Sequence, residues 1–72
     1  MSNETIGTHA GVVWRTLYGS DKEMSLETLV RTTGLRLIEV VAAIGWLARE
    51  NKIMIKEEEE GFSFAVYKEC YY

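Results

Sequence analysis

The side chains able to do chemistry are few in this 72-residue chain, and they do not gather at any recognisable spacing. Its one histidine, His9, has no cysteine, aspartate or second histidine at ligand spacing, so no metal site is expected. Its one cysteine, Cys70, cannot form an internal disulfide; with no neighbouring base to take its proton it reads as a spectator thiol. The run Glu57 to Glu60 lacks the alternating aspartates of a calcium loop, and reads as a solvated turn that keeps a hairpin edge from aggregating. No carboxylate pair, nucleophile–base pair or glycine-rich phosphate loop is present. The chain is therefore not expected to be an enzyme, and neither a cofactor nor a small-molecule substrate is implied. Of the eight lysines and arginines, Arg36, Lys52 and Lys56 are the candidates for contact with nucleic-acid phosphates.

These residues must be positioned by elements that the apolar pattern outlines. Ile6, Ala10, Val13, Trp14 and Leu17 recur at helical spacing, with Thr5 able to cap the start and Gly19 to end the helix. Gly7 and Gly11 lie on one face of it, each costing about 1 kcal/mol against alanine, so a close neighbour is expected there. Two candidates stand: a bulky side chain such as Trp46, or a second chain. Met24 has the setting for a short strand. Ser25 is a good N-cap for a helix from Leu26 to Thr32, with Leu26, Leu29 and Val30 on its apolar face. Gly34 suits a tight left-handed turn, a third helix runs from about Arg36 to Glu50, and Asn51 is a plausible stop. A hairpin follows. "KIMIK" places Ile53 and Ile55 inward against Lys52, Met54 and Lys56; "FSFAVY" places Phe62, Phe64 and Val66 inward against Ser63, Ala65 and Tyr67.

The order predicts an α+β fold over residues 1–72 as one domain: a winged helix-turn-helix of three helices and a two-stranded antiparallel wing, with a short third strand near Met24. Val30, Gly34 and Val40 meet the helix-turn-helix spacing, with Leu29, Leu35 and Ala43 filling core positions between them. Beyond spacing, "HAGVVWRTL" and "GWLARENKI", joined by "SLETLVRTTGL", resemble a family of very small stand-alone bacterial and archaeal winged helix-turn-helix proteins whose function is largely undefined. The resemblance covers nearly the whole chain. It implies the fold and no substrate, cofactor or catalytic residue, and a DNA role would follow from fold analogy alone.

The third helix is unusual for a DNA reader. At about 100° per residue, Ala43, Leu47, Val40 and Ile44 form one arc facing a core. Ala48, Leu37, Val41, Gly45 and Ile38 continue it to roughly 220°, where a one-sided surface helix needs little over ~100°. The second arc is the one a winged helix turns to the major groove, and it offers none of the polar groups that distinguish bases. Arg36 at the helix start has Glu39 beside it. Residues 51–61 hold two lysines against four glutamates, net −2, so the wing would meet phosphates with repulsion. The whole chain carries −3, again against a dedicated nucleic-acid binder.

Leaving Leu37, Ile38 and Val41 in water forfeits roughly 1.5–3 kcal/mol each, a large loss for so small a chain. Three covers are open. A second copy of the chain, meeting it across Leu37, Ile38, Val41, Ala42 and Gly45, is the simplest, since most soluble oligomers are two-fold homodimers. The C-terminal stretch, with Tyr71 and Tyr72 folding back, or an unusual tilt of the first helix would cover it within one chain. DNA would cover it if thymine methyls met the apolar face while Arg36, Lys52 and Lys56 took phosphates. The favoured reading is a protein-interaction module, homodimeric or with an unknown protein partner; the alternative is a small DNA-binding regulator. Trp14 and Trp46 are expected at or near the core rather than as a stacking platform. "MSNETIG" has no signal-peptide pattern, and the longest apolar run, Val40 to Ala48, falls short of the ~20 residues that span a bilayer, so a cytoplasmic location is expected.

Overall fold

A computed structural model describes residues 1–67; Cys70, Tyr71 and Tyr72, singled out in the sequence, lie outside the described residues. The elements run α1 (Asn3–Tyr18), β1 (Met24–Ser25), α2 (Leu26–Thr33), α3 (Leu37–Arg49), β2 (Ile53–Glu58) and β3 (Gly61–Val66). The strands form one antiparallel sheet in the order β1-β3-β2. This is the winged helix-turn-helix arrangement, with the short third strand at Met24.

Local chemistry sets each boundary. The α1 helix begins earlier than expected, because the Ser2 hydroxyl rather than Thr5 caps it by accepting the Thr5 N–H at 3.1 Å. Ser25 caps α2 in the same way, accepting from the Thr28 N–H at 3.1 Å. Gly34 ends α2 at φ +76°, a left-handed conformation that L side chains resist. At the end of α3, Asn51 adopts φ 58°. Its N–H reaches the Ala48 carbonyl while that of Lys52 reaches Leu47, both at 3.0 Å, the Schellman pattern of a helix stop.

The helices meet over one core. Ala10, Val13 and Leu17 of α1, Leu29 of α2, and Val40, Ala43, Ile44 and Leu47 of α3 pack with Ile53, Phe64 and Val66 of the sheet. Leu29, Val13 and Val40 are its most deeply buried large side chains. Cutting any of them back would open a cavity costing a few kcal/mol. That core holds the second helix of the motif at a fixed angle, and so fixes which face of α3 is left in water.

The wing departs from expectation in three ways. First, Glu57 and Glu58 belong to β2, opposite Phe62 and Gly61, so the turn is only Glu59–Glu60, with Gly61 at φ 142°. Second, Ile55 and Phe62 lie on the expected inner face, opposite Phe64 and Glu57 respectively, yet they are 47% and 51% exposed. The hairpin outruns the helices beneath it, so the core ends at Phe64. Third, Ser63, expected outside, is buried. Its hydroxyl lies 3.2 Å from Glu23 Oε1 and 3.3 Å from Glu58 Oε2, under side chains that cross the central strand.

Candidate interaction surface

The exposed arc of α3 is built by the core on its other side. With Val40, Ala43, Ile44 and Leu47 turned inward, the helical period turns Leu37, Ile38 and Val41 out, at 56%, 58% and 50% exposure. Ala42 lies half-buried at one edge. Gly45 is exposed, and a Cβ built there would meet nothing within 4 Å. Within the described chain, then, no neighbour requires glycine at this mid-helix position, where it costs about 1 kcal/mol relative to alanine. Arg49 is exposed on the same side, one helical turn beyond Gly45.

The paired glycines of α1 have a different setting. A Cβ on Gly7 would stand 3.5 Å from the indole of Trp46, so Trp46 is the close neighbour there. Gly11 faces only the Arg15 side chain of its own helix. A shallow groove of about 340 Å³ runs between α1 and α3, with Trp14 and Trp46 on its walls. Trp14 packs against the core and stacks on Tyr18 at 4.8 Å, while Trp46 is 38% exposed.

The three cations weighed for phosphate contact each face a carboxylate of the same chain. Arg36 pairs with Glu39 at 3.1 Å, and the same carboxylate accepts the Arg36 backbone N–H at 2.8 Å across the first turn of α3. These hydrogen bonds, the backbone one first, hold the Glu39 carboxyl below its ordinary range. Lys52 lies 3.5 Å from Glu50. Lys56 is bonded to Glu23, which raises the lysine and lowers the carboxyl from their usual values. Glu23 stands 33 positions away in the sequence, so no local spacing announces it. Arg36, Lys52 and Lys56 are also not brought together: one begins α3, one follows it, and one sits in the wing. Among the described residues no group of three or more His, Cys, Asp or Glu is placed to hold a metal. No described helix is long and apolar enough to cross a membrane. His9 is half-buried on α1, its Nδ1 without a hydrogen-bond partner among the described residues.

Comparison with known proteins fits this architecture. The chain belongs to the winged helix-turn-helix domain family DUF2582, whose model matches residues 1–66. It is 39% identical over 56 residues to the uncharacterised protein MJ1608 of Methanocaldococcus jannaschii, spanning 76% of this chain and 80% of that one. The solution NMR structure of protein BT2368 from Bacteroides thetaiotaomicron superposes with a TM-score of 0.81 at 33% identity, over 92% of this chain and 79% of that one. The ferric uptake regulator Fur of Helicobacter pylori, described with three functional metal-binding sites, gives a TM-score of 0.74 at 20% identity. The match spans 82% of this chain and 43% of Fur, and is a likeness of fold alone.

Proposed function

We propose that this member of the winged helix-turn-helix family is a protein-interaction module that pairs with a second copy of itself through the outer face of α3. The observation that carries the reading is the set of exposed Leu37, Ile38 and Val41 beside an unencumbered Gly45. Ile38 and Gly45 lie seven residues, or about two turns, apart on one stripe of the helix. A two-fold axis midway between Val41 and Ala42 lays Ile38 of one copy over Gly45 of the other, a protruding side chain against a gap, and sets the two Val41 side chains near the axis. Such a self-complementary patch is what a two-fold interface requires. Burying it on both copies recovers the roughly 1.5–3 kcal/mol that each large apolar side chain forfeits in water.

The charges favour this reading over DNA contact. A phosphate approaching Arg36, Lys52 or Lys56 would meet the negative charge of a carboxylate already beside it, and the glutamates of the wing tip add repulsion. Light scattering after size exclusion tests the proposal. The wild-type chain should have twice the single-chain mass and Ile38→Asp the single-chain mass, with unchanged circular dichroism. A wild-type monomer, or an Ile38→Asp variant that stays dimeric, refutes it.

A further inference from the structure

We propose that the hollow between the wing and the start of α3 is a second interaction surface, one that takes a basic, apolar-anchored segment of a different protein. Two adjoining depressions form it. The larger, about 600 Å³, is floored by Leu26, Val30 and Leu37. The smaller, about 220 Å³, runs from Leu26 to Phe62 under the wing. Leu26 and Glu27 line both, so the two are one groove. Its apolar ends stay in water, Leu37 at 56% and Phe62 at 51% exposure.

The occupant is chosen by charge. Glu27 and Glu60 stand on the rim, and Glu57 lies opposite Phe62 in the hairpin register, on the same face. Among the described residues none of these three carboxylates has a cation within 4 Å. Arg31, at the far end of the larger depression, is the cation of the rim. An apolar floor under a net-acidic rim selects a segment that presents leucine-like side chains together with lysines or arginines. A second copy of this chain is a poor occupant, because it carries a net charge of −3 and would bring its own four-glutamate wing tip. Nucleic acid is opposed by the same carboxylates. The surface adjoins the proposed dimer face and shares Leu37 with it: Val41 lies about 40° around α3 from Leu37 and Ile38 and Gly45 roughly 80–100°, whereas Leu26, Val30 and Phe62 belong to the groove alone.

Two synthetic amphipathic helical peptides test this, sharing one leucine pattern, with lysine on the polar face of the first and glutamate on that of the second. Each is titrated into isotope-labelled full-length protein while amide shifts are followed. The lysine peptide should move Leu26, Val30, Leu37, Gly61 and Phe62, leave Gly7 and Gly11 unmoved, and bind more weakly as salt is added. The glutamate peptide should move none of them. Phe62→Ser, at an exposed site, should weaken the lysine peptide about tenfold or more, and Glu60→Lys should weaken it without touching the apolar floor. Equal response to both peptides, shifts centred elsewhere, or full binding to both variants would overturn the proposal.

Discussion

Among single residues, the partners of the cations decide the most. Glu23 and Glu39 are both held below the ordinary carboxylate range, the first chiefly by its hydrogen bond from Lys56, the second by the Arg36 backbone N–H and then its guanidinium. A lowered folded-state value means that the stabilisation is fully present above the ordinary carboxylate range and is lost as pH falls through the lowered value. Lys56 is raised, so its share is present below the ordinary lysine value and is lost as pH rises through the raised one. The Lys56–Glu23 pair is solvent-exposed, so its contribution is small, whereas the Glu39 side chain is more enclosed, at 15% exposure. Side-chain carbon shifts followed by NMR during acid titration should find both glutamates titrating low, and Lys56→Gln should return Glu23 toward the ordinary range while leaving Glu39 where it was. Glu23 already titrating normally in the wild-type chain would mean that the Lys56 pair does not form in solution.

At the level of elements, α3 is the piece whose two faces tell different stories. Its helical period and doubled apolar arc were readable from "TGLRLIEVVAAIGW", as were the caps at Ser25, Gly34, Gly19 and Asn51, because each rests on local chemistry. The hairpin was readable in phase but not in extent. Alternation fixes which face Ile55 and Phe62 share, whereas burial depends on how far the helices reach beneath them, a tertiary quantity. Four consecutive glutamates suggested a turn, yet pairing with Phe62 and Gly61 drew Glu57 and Glu58 into β2. The burial of Ser63 and the engagement of Lys56 both depend on Glu23, brought across the sheet by β1, and no nearby residue signals it. Gly45 offers a test that separates the helix from its contacts. In an Ile38→Asp background, Gly45→Ala should raise the stability of the single chain by about 1 kcal/mol, read from urea unfolding. In the otherwise unaltered chain it should loosen the proposed dimer, read as a higher dissociation constant. Stabilisation in both settings would show that nothing packs on Gly45.

For the whole molecule, marginal size and an apolar face left exposed among the described residues are linked. A chain of 72 residues buries only about 60% of its unfolded surface, so it gains most from a partner that covers what it cannot. In the proposed reading, the net charge of −3 and the carboxylates beside Arg36, Lys52 and Lys56 turn that need toward protein rather than nucleic acid. The measurement that bears most directly on this account is an isotope-filtered NOE experiment on a mixture of labelled and unlabelled chains. The proposed pairing predicts cross-peaks between Ile38 methyls of one copy and the Gly45 Hα of the other. Their absence, from a chain that tumbles as a monomer at the same concentration, would contradict it.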